Sequence, residues 1–125
     1  MQQVSDFELE LMKIIWDNGG TALYAEIVEG LEKKGLSTTK NTIISLLLRL
    51  IEKGFLKTNK IGRRNKYTAL VSEAEYQAAQ TEHFLEKIYE GDAKELIATL
   101  IQKEWISADE YEELKKHWQG GDQEK

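Results

Sequence analysis

Ten lysines and arginines (Lys33, Lys34, Lys40, Arg49, Lys53, Lys57, Lys60, Arg63, Arg64, Lys66) fall between Lys33 and Tyr67 against one acid, Glu52. That window carries +9 in a chain whose net charge is −5. Ammonium and guanidinium groups at this density neutralise a polyanion, and duplex nucleic acid, with about one charge per 1.7 Å of its axis, is the fitting partner. The window also holds short polar side chains. Asn41 suits bidentate pairing with adenine, and Thr42 or Ser45 suits a thymine methyl or a base edge. Bond-breaking chemistry has no comparable signal. There is no cysteine, so no disulfide, thiolate metal site or catalytic thiol is expected. His83 and His117 stand 34 residues apart with no metal-ligand spacing, so no zinc is expected. No nucleophile elbow, phosphate-binding glycine loop or reasoned carboxylate pair occurs; the chain reads as a non-enzyme without a cofactor.

Local signals dictate how these residues are positioned. Ser5 with Glu8 is a capping box, and Phe7, Leu11, Ile14 and Ile15 recur at helical spacing up to a stop at Asn18-Gly19-Gly20. Residues 21–23 read as a short extended piece, and residues 24–34 as a second helix with Ile27, Val28 and Leu31 inward. The cluster Ser37-Thr38-Thr39 offers helix caps, so a third helix is predicted over 39–53, stopped by Gly54. Its core stripe is Ile43, Leu46, Leu47, Leu50 and Ile51, leaving Asn41, Ser45, Arg49 and Glu52 outward. Thr39, Lys40, Asn41 and Thr42 then occupy a helix start, where free N–H groups favour phosphate and recognition helices meet base edges. Arg49 and Lys53 are expected near phosphates.

Residues 55–61 and 65–70 predict two strands around a Gly62-Arg63-Arg64 turn. Lys60, Arg63, Arg64 and Lys66 would carry this hairpin to backbone phosphates or a minor groove. Lysines also protect edge strands, but four cations within seven residues exceed that need. Helix, short strand, helix, helix and hairpin is the order of a winged helix-turn-helix, assigned to residues 1–71. The expected fold class is mainly α, with that DNA-binding domain followed by a helical dimerisation region.

Charge supports the division. Residues 1–71 hold 11 basic and 8 acidic side chains, whereas residues 72–125 hold 6 basic and 14 acidic. Three more capping pairs, Ser72/Glu75, Asp92/Glu95 and Ser107/Glu110, predict three helices over 72–119. Their apolar residues (Tyr76, Phe84, Leu85, Ile88, Leu96, Ile97, Leu100, Ile101, Leu114 and Trp118) are too many to leave in water. About 50 residues rarely bury such a surface alone, so a second copy is the expected cover. Trp16, Trp105 and Trp118 are read as core or interface anchors, and Tyr67 as packed. Residues 120–125 are expected to be a disordered tail. No leader or membrane-spanning pattern is read, and the default location is the cytoplasm.

These residues also carry a family likeness. Ser5-Asp-Phe-Glu-Leu-Glu-Leu-Met-Lys-Ile-Ile-Trp16, Thr42-Ile-Ile-Ser-Leu-Leu-Leu-Arg-Leu-Ile-Glu-Lys-Gly54, Gly62-Arg63 with Tyr67-Thr68, and His83-Phe84-Leu85 with Tyr89 are its motifs. Through them the chain resembles the penicillinase and methicillin-resistance repressors and the related copper-responsive repressors, over nearly its whole length. The resemblance implies a homodimeric transcriptional repressor of a resistance or stress gene, bound to a pseudo-palindromic operator in double-stranded DNA. In the β-lactam type of signalling it implies a membrane-bound sensor protease encoded nearby. Proteolysis in that type falls at an Asn-Phe pair whose aligned position here reads Thr99-Leu100. The copper-responsive members bind metal through a Cys-x-Cys pair that this cysteine-free chain lacks, which excludes thiolate copper sensing. A different class of function stays open at this point: a winged-helix module whose basic face meets an acidic protein partner.

Overall fold

The structure, a computed structural model, describes residues 1–122, with side chains described through Trp118. Its elements run α1 (Asp6–Asp17), β1 (Thr21–Leu23), α2 (Tyr24–Lys33), α3 (Lys40–Glu52), β2 (Leu56–Ile61), β3 (Arg64–Ala69), α4 (Glu73–Tyr89), α5 (Ala93–Gln102) and α6 (Ala108–Asp122). The chain divides into two compact units, Met1–Gln80 and Thr81–Lys125.

In the first unit the capping box closes as the sequence predicts. The Glu8 N–H donates to Ser5 Oγ at 3.2 Å, and the Ser5 N–H donates to Glu8 Oε1 at 2.7 Å. Leu11, Met12, Ile14 and Ile15 of α1 meet Ile27 and Leu31 of α2 and Ile43, Leu47 and Leu50 of α3 in one core, closed by Phe55, Leu56 and Tyr67. Each of these side chains contributes about 1.5–3 kcal/mol by leaving water. Leu46 and Ile51, assigned to the core stripe, are only half-buried.

The sheet is larger than the expected hairpin. β1 pairs antiparallel with β3, Ala22 opposite Tyr67, so the order is β1-β3-β2. β2 pairs with β3 from Leu56 opposite Ala69 to Ile61 opposite Arg64, and the turn is therefore Gly62-Arg63 alone, with Arg64 already in the strand. Gly62 sits at φ +63°, a left-handed conformation that suits glycine in so tight a turn.

The boundary expected after residue 71 falls instead within α4, after Gln80. Tyr76 explains the difference. It is 7% exposed, its ring lies 5.6 Å from Phe55 and 6.1 Å from Trp16, and its hydroxyl accepts the Val4 N–H at 3.2 Å. Tyr76 was assigned to the dimer surface; it is a core residue of the first unit. Trp16 is anchored at its rim, Nε1 donating to the Val71 carbonyl at 2.8 Å.

The second unit is built otherwise. Its helix starts carry the predicted caps, with the Glu95 N–H donating to Asp92 Oδ1 and the Glu110 N–H to Ser107 Oγ. The Tyr89 hydroxyl donates to Thr99 Oγ1 at 3.0 Å and Phe84 stands edge-on to Tyr89. Among its described side chains, however, none is buried. Phe84, Ile88, Ile97, Ile101 and Leu114 are exposed, Leu85, Leu96 and Leu100 half-buried, and Trp105 and Trp118 are 65% and 74% exposed. α6 runs on through Gly120 to Asp122, where a disordered tail was expected. Two glycines weaken a helix by about 1 kcal/mol each without forbidding it. The remainder of that tail, residues 123–125, lies outside the described residues.

Candidate nucleic-acid interface

Thr39 is the N-cap of α3: its hydroxyl accepts the Thr42 N–H at 3.2 Å and lies 2.9 Å from the Thr42 hydroxyl. This cap holds one of the free N–H groups of the first turn and aims the helix start, on which Lys40, Asn41 and Thr42 are all exposed. Ile43, Leu47 and Leu50 anchor the opposite face in the core, so Asn41, Ser45, Arg49 and Glu52 are held outward, as their spacing requires. Gly54, at φ +83°, ends α3 and leads into β2, which places Arg49 and Lys57 on either side of that turn.

On the hairpin, alternation sorts the cations by face. Lys57, Asn59 and Ile61 lie opposite Thr68, Lys66 and Arg64, all on the face away from the core. Lys60 falls opposite Asn65, on the same face as buried Leu56 and Tyr67 but beyond the core, and it is exposed. Arg63 is exposed at the turn, whereas Lys66, on the central strand, buries part of its stem.

Ion pairing separates the window into two groups. Lys33 pairs with Glu29 at 3.2 Å, Lys34 with Glu10 at 2.9 Å and Lys53 with Glu8 at 2.8 Å. Lys34 holds the Glu10 carboxyl below its ordinary range. Among the described residues the other seven, Lys40, Arg49, Lys57, Lys60, Arg63, Arg64 and Lys66, have no carboxylate partner. A cation without an internal partner keeps its full charge for an external one. Lys53, expected near phosphates, is the one member of that expected set that has an internal acid. It sits at the C-cap of α3, on the side that meets α1, where a buried acid claims it. The sequence reading took Glu8 for a capping group alone and did not find this pair, because its partners are 45 residues apart.

Sequence reasoning also passed over Leu48. It falls within the motif of residues 42–54 without a role of its own, yet it is 55% exposed on the outward side of α3. Its helical-wheel position, one turn beyond Ser45, was the signal available.

For a metal, the described residues offer no group of three or more His, Cys, Asp or Glu side chains. In the second unit a cleft lined by Trp105, Ile106, Glu110, Glu113, Leu114, Lys116 and His117 mixes both charges with apolar surface. Among the described residues no helix is long and apolar enough to cross a membrane.

The family model for the penicillinase repressor matches residues 4–120. The penicillinase repressor of Bacillus licheniformis is 35% identical over 112 residues, covering 90% of this chain and 86% of that protein. The methicillin resistance regulatory protein MecI of Mammaliicoccus sciuri is 33% identical over 113 residues, covering 90% of each. Among solved structures, the monomeric form of Bacillus licheniformis BlaI in complex with the blaP half-operator superposes with a TM-score of 0.50 at 40% identity, over 60% of this chain and 89% of that one.

Proposed function

The chain belongs to the penicillinase repressor family of DNA-binding transcriptional repressors, and from that premise we propose that it works as a homodimer on a pseudo-palindromic operator of a resistance or stress gene. One observation carries the reading furthest: within the first unit, the seven lysines and arginines without a carboxylate partner are all on α3, β2, β3 and the turn of the hairpin. In this reading α3 enters the major groove from its Thr39-capped end, with Asn41, Thr42 and Ser45 at base edges. Arg49, Lys57, Lys60, Arg63, Arg64 and Lys66 neutralise backbone phosphates. The apolar face of residues 84–118 is covered by the second copy, which sets two recognition helices on two half-sites. A sensor protease of the β-lactam type is a further partner under this reading. Its cut would have to reach Thr99-Leu100, and Thr99 lies within α5, its hydroxyl donating to the Glu95 carbonyl at 3.1 Å.

Salt dependence tests the assignment of roles. Replacing Arg63 and Arg64 by Ala removes two phosphate contacts and lowers the slope of log affinity against log salt by about 2, equally for operator and random duplex. Asn41→Ala leaves the slope in place and narrows the gap between operator and random DNA by about 1–3 kcal/mol. An unchanged slope in the double variant would remove the hairpin from the interface. A wild-type protein that bound no duplex even at low salt would point to the acidic-protein partner instead.

A further inference from the structure

We propose that Leu48 is a specificity-determining residue, reading the 5-methyl group of one thymine in each half-site through apolar contact in the major groove. The proposal rests on the DNA-reading role of α3 given above and adds the chemical group that the helix recognises.

Residues 41, 45, 48 and 52 follow one another at intervals of four, three and four, so Asn41, Ser45, Leu48 and Glu52 form one row on α3. Every other exposed side chain of the helix (Lys40, Asn41, Thr42, Ser45, Arg49, Glu52) is polar; Leu48 alone is apolar, and it is 55% exposed. It does not serve the core, which takes Ile43, Leu47 and Leu50 from the opposite side of the helix. Ile44, one turn earlier, is half-buried and flanks it, so the helix offers a small apolar edge beside its hydrogen-bonding groups.

The major-groove edges of the four bases present hydrogen-bond donors and acceptors with one apolar group among them, the thymine methyl. Leucine has nothing to offer the polar groups, and its burial against a methyl removes apolar surface from water on both sides. The helix rise places Leu48 roughly 10 Å along the axis from Asn41. For a helix lying in the groove, that puts the thymine about three base pairs from the pair met by Asn41.

The test uses the full-length protein and the duplex that it enriches from a random library. Each thymine of a half-site is replaced in turn by deoxyuridine, which removes only the methyl. The expected result is one thymine per half-site whose replacement weakens wild-type binding about fourfold, the worth of one buried methyl group. Leu48→Ala should bind the thymine and deoxyuridine duplexes equally at that position, with an unchanged salt slope and unchanged thermal unfolding, because an exposed side chain contributes little to stability. Two results would overturn the contact while leaving the DNA-reading role intact: sequence-specific wild-type binding indifferent to every replacement, or a Leu48→Ala protein with the full wild-type sensitivity. A wild-type protein with no preference among duplexes would remove the contact together with the role on which it rests.

Discussion

Glu8 is 1% exposed and receives both the Ser5 N–H and the Lys53 ammonium on Oε1, while Oε2 has no hydrogen-bond partner. Burial alone pushes this carboxyl up. The Lys53 ammonium, the Ser5 N–H and the Ser5 hydroxyl together more than reverse that, so it lies below its ordinary 4.5. The pair ties the first turn of α1 to the end of α3, and breaking it leaves Lys53 without its acid. Because the Lys53 side chain is about a quarter exposed, water takes part of the load, and Glu8→Gln should cost about 1–3 kcal/mol at neutral pH. A depressed folded pKa contributes stability in full above the unfolded value, and that contribution is lost as pH falls through the folded one. The gap between wild type and Glu8→Gln in urea midpoint should therefore hold from pH 7 to about 4.5 and shrink on further acidification. A gap that stayed constant down to pH 3 would show that the ion pair contributes nothing.

At the scale of elements, α1 and α2 approach closely at a single glycine. A Cβ added at Gly30 would stand 2.7 Å from Ile14 Cγ2, an atom fixed directly on a branched Cβ. Alanine gains about 1 kcal/mol of helix propensity there, but the clash in a packed seam costs about 1–3 kcal/mol and should prevail. Gly30→Ala should lower the melting temperature by several degrees; a rise would mean that Ile14 turns aside freely.

Most of these elements were legible because their signals are local. The Ser5/Glu8 box, the Thr39 cap and the Gly54 stop each announce a boundary within four residues. What sequence reading missed depends on distant partners. β1 is three residues long and finds its strand partners 43 to 47 residues later. Tyr76 looks like any apolar residue of an acidic helical segment until Trp16 and Phe55 are placed around it. Lys53 looked like one more cation of the window until Glu8 was seen beside it. In the candidate interface the outward residues of α3 followed from helical period, whereas the division of the hairpin's cations between two faces needed the strand register.

At the scale of the whole molecule the two units differ in kind. The first has a closed core; the second has no buried side chain among those described. Three helices in that condition gain too little from burial to offset their ordering entropy alone, and in the proposed homodimer a second copy supplies the missing surface. The wild-type protein should sediment as a dimer of 14.4-kDa chains. Ile101→Asp, which places a charge on the open face, should shift it to monomer and weaken binding to a two-half-site operator at least tenfold, with little effect on an isolated half-site. A monomeric wild type would contradict the proposed role of residues 84–118.

The charge asymmetry follows a similar division along the sequence, with 14 acidic and 6 basic residues over 72–125. The central claim is that this assembly reads a two-fold-symmetric DNA sequence through α3 and the hairpin. Selection of the purified protein against a random duplex library, sequenced after binding at two salt concentrations, tests it most directly. The account predicts enrichment of a single inverted repeat, with half-site centres about one or two helical turns apart and overall affinity falling steeply with salt. Uniform, salt-sensitive recovery of all sequences, with no symmetric site enriched at either concentration, would contradict it.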